Sequence, residues 1–347
     1  MTKNTLNEED ILWIKRLLET PRKIAIIAHY NPDGDAIGAS LALMMFLQQN
    51  NHEVCVLTPN SYPDFLKWMP QSQTILQATE NQSLCMDKIA TAEIVFCLDF
   101  NTFNRTGILQ KASEEAKCIK ILIDHHIDPD ATFDIVYSAT EETSSTCELI
   151  YNFITNMMNG SRYMNAEIAA CLYVGIITDT GSLSYSCNNK STYYVLGNLL
   201  QYGIDGEDIH RKIYDTYSEN RIRLLGHCLV KRLVVLEDYA SSFIYLTKED
   251  LTQYDYKQGD IEGIVNYGLS MKHVRFTALF SERDDRVRIS FRSKGDFNVN
   301  DFARNHFQGG GHKNASGGNS YTSMDATIET FKQLLKQYQT ALTTPWE

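Results

Sequence analysis

The chain has 347 residues, of which 43% are hydrophobic and 22% charged. That composition belongs to a soluble globular protein and excludes disordered and fibrous classes. Thirty-two basic against 43 acidic residues leave a net charge of −11, which excludes broad electrostatic wrapping of long duplex nucleic acid. The acidic excess is uneven: residues 229–347 hold 15 basic and 15 acidic side chains, so the first 228 residues carry all of it. No uncharged apolar run reaches about 18 residues, so no membrane span is expected. Residues 1–10 are polar and acidic and lack the pattern of a secretion leader. Eight cysteines without a C-x-x-C pair fit a reducing compartment. A cytoplasmic protein is expected.

In chain order, residues 23–28 (KIAIIA) read as a strand, 29–35 (HYNPDGD) as a turn, and 36–49 as a helix. Further short apolar runs at 53–57, 93–98, 118–123 and 133–137 read as strands separated by crossovers. Such alternation predicts an α/β fold with a doubly wound, mainly parallel sheet. Helices are expected over 143–158, over 165–178 with Asn165 as N-cap and Glu167 in the first turn, and over 189–200. Residues 201–228 are more polar and read as a helical linker. Beyond it, strands at 233–236, 242–246, 274–280 and 287–291 and helices at 299–305 and 325–339 predict a smaller α+β domain across a cleft. The expected division is therefore 1–200, 201–228 and 229–347.

Three of the strands end alike. The first runs into His29, Asp33 and Asp35, the third into Asp99, and the fourth into Asp124, His125 and His126. An open parallel sheet places its ligand crevice at the carboxyl ends of the strands, so these side chains converge. Asp179, closing the apolar segment before it, joins them. Taken singly, each motif is ordinary turn or cap chemistry; together they crowd carboxylates that repel one another unless cations intervene. Aspartate and histidine without thiolate suit Mn²⁺, with Mg²⁺ or Co²⁺ as substitutes. The number of ligands fits a two-metal centre with one bridging carboxylate better than a single ion.

Residues 29–35, Asp99, residues 124–126 (DHH) and Asp179 together resemble the four successive motifs of the DHH phosphoesterase family. Residues 309–317 (GGGHKNASG), preceded by 292–295 (RSKG), resemble the mark of the DHH-associated C-terminal domain. The similarity spans nearly the whole chain and is nearest the nanoRNase/pAp-phosphatase (NrnA-like) branch. It implies two Mn²⁺ ions: His29, Asp33 and Asp99 hold one; Asp35, Asp99, His125 and Asp179 hold the other. It implies a supporting role for Asp124 and places His126 at the scissile phosphate. It also implies a substrate clamp made of Arg292 with Gly309, Gly310, Gly311, His312, Lys313 and Ser316. Consecutive glycines let backbone N–H groups approach a phosphate, and Arg292 offers a bidentate fork. Arg105 is a further candidate on the catalytic side. Gln308 stands where the family usually has another glycine.

The implied activity is hydrolysis of oligoribonucleotides of about two to five nucleotides to mononucleotides, and of 3′-phosphoadenosine 5′-phosphate to AMP, by water activated between two metals. Linear dinucleotides fit the same expectation, and a homodimer is the implied assembly. A cyclic-dinucleotide phosphodiesterase would use the same centre. A family-II pyrophosphatase or exopolyphosphatase shares the N-terminal motifs but has a Ser-Arg-Lys-rich C-terminal motif not found here. A RecJ-type exonuclease usually carries further DNA-binding domains. A catalytically dead nucleotide-binding regulator is disfavoured because every ligand position is filled.

Overall fold

The structure is a computed structural model in which residues 6–139, 143–257 and 259–344 are described. The chain divides into two compact units, Met1–Thr216 and Tyr217–Glu347.

The first unit opens with helix α1 (Glu8–Leu17) and is built on six strands: β1 (Lys23–Ile27), β2 (Glu53–Thr58), β3 (Leu76–Gln77), β4 (Ile94–Leu98), β5 (Ile119–Asp124) and β6 (Ile135–Ser138). Their spatial order is β3-β2-β1-β4-β5-β6 and every pairing is parallel. The helices are α2 (Gly34–Gln49), α3 (Ala78–Thr91), α4 (Gln110–Glu115), α5 (Thr146–Asn152), α6 (Ala166–Asp179), α7 (Lys190–Leu200) and α8 (Gly206–Tyr214). Strand side chains alternate between two cores. Ile24, Ile26, Phe96, Leu98, Ile121 and Ile123 pack with α2, α5 and α6. Ala25, Ile27, Val95, Cys97 and Leu122 pack with α3 on the other face. A sheet buried on both faces explains why its strands read as continuous apolar runs.

β1 and β4 are neighbours from which the chain order runs outward in opposite directions, so they flank the topological switch point, where such sheets bind ligands. Next to it lies α2, buried from Gly34 to Leu47. Two glycines bring its neighbours close. A Cβ on Gly38 would lie 2.4 Å from the Cys171 carbonyl of α6, and one on Gly175 would lie 2.1 Å from Cys147 Sγ of α5 and 2.8 Å from Asp35 Oδ1. No real Cβ tolerates such distances, so these positions fix the close packing of α2, α5 and α6.

The second unit contains α9 (Glu219–His227), β7 (Leu233–Leu236), β8 (Ser241–Leu246), α10 (Lys248–Gln253), α11 (Ile264–Leu269), β9 (Phe276–Glu282), β10 (Val287–Ser293), α12 (Val299–His306), β11 (Gly310–Gly311), β12 (Ala315–Ser320) and α13 (Met324–Thr343). Its sheet order is β11-β12-β10-β9-β8-β7, antiparallel except for the β8–β9 pair. An aromatic core of Phe276, Phe280, Phe291, Phe302 and Phe331 joins one face to α12 and α13. Leu224, Ile244, Leu251, Ile264 and Leu279 join the other face to α9, α10 and α11. The stretch 201–228 is divided between the units rather than standing apart: α8 belongs to the first and α9 to the second.

Candidate metal centre

His29 follows β1 and is buried. Its Nδ1 lies 3.0 Å from the Tyr30 carbonyl and must donate, because a carbonyl only accepts. That leaves Nε2 facing Asp99 Oδ2 at 3.4 Å and Asp33 Oδ2 at 3.9 Å: it donates to Asp99 when the ring is protonated, and its lone pair would be free for a cation when the ring is neutral. Asp33 has two roles: its Oδ1 caps α2 by accepting from the amides of Asp35 and Ala36, which leaves Oδ2 facing His29.

Asp99 follows β4 with φ at +62°, a conformation that aspartate tolerates better than most residues. Such outliers persist where surrounding structure over-determines them, commonly at functional sites. The two Asp99 oxygens face opposite ways. Oδ2 meets His29, and Oδ1 meets His125 Nε2 at 3.5 Å. His125 Nε2 also lies 3.4 Å from Asp179 Oδ2, at the end of α6, and 3.9 Å from Asp35 Oδ2, at the start of α2. Candidate ligand atoms within 4.8 Å of one another form the groups His29–Asp33–Asp99, Asp35–Asp99–His125 and Asp99–Asp124–His126, with Asp99 in all three.

The residues fit divalent cations on their own chemistry. Burial, then Asp99 and Asp179, push the Asp35 carboxyl well above its usual range, a cost that nearby positive charge would remove. Burial works against charge on Asp99 too, but hydrogen bonds from His125 and His29 outweigh it and hold that carboxyl well below its usual range. Burial likewise opposes protonation of His125, and Asp179, Asp99 and Asp35 overcome it and raise its pKa well above normal. Asp124 is fully buried, and its Oδ2 has no hydrogen-bond partner among the described residues. Its Oδ1 accepts from His126 Nδ1 at 2.7 Å, which fixes the ring and leaves Nε2 as its outward atom. Burial opposes protonation of His29, but its hydrogen bond with Asp99 and the Asp33 and Asp99 charges outweigh burial and raise its pKa; the Arg105 charge acts with burial, and the Arg105 carbonyl accepts from the Tyr30 amide beside His29.

Sequence reasoning missed two residues that hold the carboxylates in place. The Thr146 amide donates to Asp35 Oδ2 at 2.7 Å, the Cys147 amide to Asp35 Oδ1 at 2.8 Å, and Thr146 Oγ1 to Asp99 Oδ1 at 3.0 Å. Behind them, Glu148 is fully buried and accepts from Ser144, Ser191 and Thr192. The available signal was the S-x-x-E pattern of residues 145–148, a helix-start signature. Ser145 does cap α5, but Glu148 turns inward instead of back to the cap.

In the second unit, Arg292 lies on β10, paired with Ala315 and Thr277. The glycine run works differently from the expectation. The Gly309 amide donates to the Ala303 carbonyl, the Gly311 amide to Asn300 Oδ1, and the His312 amide to the Ala315 carbonyl. Those N–H groups are therefore taken up inside the fold. Gly309 is required by close approach instead: its Cβ would lie 1.9 Å from the Gly317 carbonyl. Gly310 has room for a Cβ, whereas Gly311 sits at φ +151° with a Cβ position 2.7 Å from the Ala315 carbonyl. Ser316 Oγ donates to the His312 carbonyl, and Lys313 pairs with Asp296 at 2.9 Å. Gln308 takes φ at +45°, the left-handed conformation that the family's usual glycine would adopt without strain.

Comparison with known proteins agrees with this architecture. The model of the DHH family N-terminal domain matches residues 23–176, and that of the DHHA1 domain matches residues 238–340. A bifunctional oligoribonuclease and PAP phosphatase NrnA of Bacillus subtilis is 25% identical over 319 residues, covering 91% of this chain and 96% of that protein. The crystal structure of an exopolyphosphatase-related protein from Bacteroides fragilis is 41% identical, with a TM-score of 0.93 and 99% of each chain covered. RecJ of Thermus thermophilus, crystallised with Mn²⁺, shares the fold at 14% identity and a TM-score of 0.56, over 96% of this chain and 54% of that one. Among the described residues, no helix is long and apolar enough to cross a membrane.

Proposed function

The chain belongs to the DHH family and is a phosphoesterase with a C-terminal DHHA1 domain, and from that premise we propose that it hydrolyses oligoribonucleotides of about two to five nucleotides to mononucleotides and 3′-phosphoadenosine 5′-phosphate to AMP, using two divalent cations, Mn²⁺ foremost. The observation that most supports this is Asp99, whose two oxygens face two different histidines. His29, Asp33 and Asp99 would hold one cation; Asp35, Asp99, His125 and Asp179 the other. Cations bound there supply Lewis acidity towards water and phosphoryl oxygen.

The chain's own groups do the rest. Asp124 orients His126, whose protonated ring donates from Nε2 to a phosphoryl oxygen as charge develops. Arg292, His312 and Lys313 bind a substrate phosphate through side chains, since the neighbouring amides are already used. The neutral charge of residues 229–347 suits a short anion better than a long polymer. The working state is a cytoplasmic homodimer.

The test is a panel with purified protein and Mn²⁺: di- to pentanucleotide RNA, 3′-phosphoadenosine 5′-phosphate, cyclic and linear dinucleotides, pyrophosphate, polyphosphate and long RNA. Short RNA and the bisphosphate nucleotide should be turned over fastest. Polyphosphate hydrolysis without mononucleotide release would overturn the assignment and favour the activity named for the Bacteroides relative.

A further inference from the structure

Three hydrogen bonds cross from the start of α5 to the candidate centre. Two come from backbone amides and act on Asp35; the third comes from the Thr146 hydroxyl and acts on Asp99 Oδ1. The two oxygens that Thr146 touches, Asp35 Oδ2 and Asp99 Oδ1, are the ones that His125 Nε2 faces, at 3.9 and 3.5 Å. Asp35 and Asp99 lie on separate elements, one in α2 and one after β4. A single residue therefore sets their spacing.

The hydroxyl has no other evident duty. Capping of α5 falls to Ser145, whose Oγ accepts from the Glu148 amide at 3.2 Å. Thr146 is fully buried, so its hydroxyl is not in contact with bulk water. The bond also matters for which way Asp99 turns. A carboxylate rotates readily about its last torsion, and a donor on Oδ1 alone keeps that oxygen towards His125 and the other towards His29.

We propose that Thr146 is a positioning residue for the cation pair: its amide and hydroxyl hold the oxygens of Asp35 and Asp99 that face His125, and so fix how Asp99 is shared between two ions. This rests on the two-cation function proposed above. Thr146 touches neither substrate nor reacting atoms; it acts through Asp99.

The experiment is Mn²⁺ binding to the metal-stripped full chain, followed by calorimetry and by the electron paramagnetic resonance of free Mn²⁺. The wild type should take up two ions. Thr146→Val keeps the shape and the amide but loses the hydroxyl; one of its two ions should bind about 10- to 100-fold more weakly, the range seen when outer contacts to metal ligands are removed. Thr146→Ser restores the hydroxyl and should recover wild-type binding, whereas a purely structural role of the γ-methyl would leave Ser impaired and Val intact. Melting temperatures of the metal-free proteins are read alongside, and Thr146→Ala replaces the valine variant if that one folds poorly. Two ions bound with wild-type affinity by the hydroxyl-free variant would overturn the role of Thr146 while leaving the two-cation centre standing. A wild type that binds no divalent ion would overturn both.

Discussion

Glu148 is the most consequential residue outside the candidate centre, and its replacement by alanine has a magnitude that can be worked out. Oε2 accepts from the Ser144 amide at 3.0 Å, Ser144 Oγ at 2.8 Å and Thr192 Oγ1 at 2.8 Å; Oε1 accepts from Ser191 Oγ at 2.6 Å. Hydrogen bonds to a charged group contribute roughly 1.5–3 kcal/mol each. Losing four is offset by no longer burying a carboxylate, which costs several kcal/mol. The three hydroxyls can turn towards one another or towards water that enters. The Ser144 amide cannot turn, and an orphaned buried donor costs about 1–3 kcal/mol. With the packing lost in the cavity, Glu148→Ala should destabilise the first unit by about 3–5 kcal/mol. For a unit of this size, that lowers the melting temperature by about 10 °C. Glu148→Gln can keep an oxygen towards the three-donor side and turn its amide to Ser191, so its loss should be less than half as large. Scanning calorimetry measures both. An alanine variant melting within about 2 °C of wild type would refute the reasoning, because it would mean the network adds nothing beyond what water provides.

Asp99→Asn should lower kcat by at least about 10³-fold, or 4 kcal/mol in the barrier, with Mn²⁺ uptake falling in parallel; steady-state kinetics and calorimetry check it. Gly309→Ala should push the β11–β12 hairpin away from Gly317, cost about 2–3 kcal/mol in the second unit and raise KM more than it changes kcat. Asp250 gives a pH dependence. Burial raises its pKa, but Arg232 at 2.8 Å and the Thr247 amide and hydroxyl outweigh that and hold it below the usual range. Its stabilisation is therefore present above the unfolded pKa of about 3.9 and is lost as pH falls through the lower folded value. Guanidinium unfolding of the second unit between pH 2 and 5 should show this loss, and Asp250→Asn should remove that part of it.

The catalytic half of the fold was legible because a buried parallel sheet writes itself as unbroken apolar runs, and three of those runs ended on a chemical signature such as Asp99 or residues 124–126. Elements without such runs were not legible. Residues 76–91 form β3 and α3, yet α3 buries only Ala78, Cys85 and Ile89, too few to mark a face. β12 has the sequence ASGGNS and no large apolar side chain; it is a strand because β10 and β11 pair with it from either side. Thr146 and Glu148 were missed for a different reason. Their function lies in whom they touch, 111 and 44 positions away along the chain, and a single sequence holds no trace of such partners. The glycine run is a motif whose physical reason in the fold differs from the one its sequence suggests: at Gly309 it is close backbone approach, and the Gly309 and Gly311 amides are bonded internally.

The acidic charge of the first 228 residues can now be divided by burial. Asp35, Asp99, Asp124 and Glu148 are all nearly inaccessible to solvent, so they contribute little to the field that an approaching polymer meets. Glu148 is matched by hydroxyl and amide donors rather than by a cation. Asp35, Asp99 and Asp124 lie together with no Lys or Arg within salt-bridge range among the described residues, only histidines. Protonating all three histidines, His29, His125 and His126, would still not balance these three carboxylates together with Asp33 and Asp179. Either carboxylates take up protons near neutral pH or cations enter. The two states are the ends of one linked equilibrium: adding Mn²⁺ to the metal-free centre releases protons, and stripping the metal takes them up again. Proton release on Mn²⁺ addition, followed in weakly buffered solution, therefore tests the electrostatics of the centre without any substrate, and its absence would mean that these carboxylates are balanced by groups other than cations.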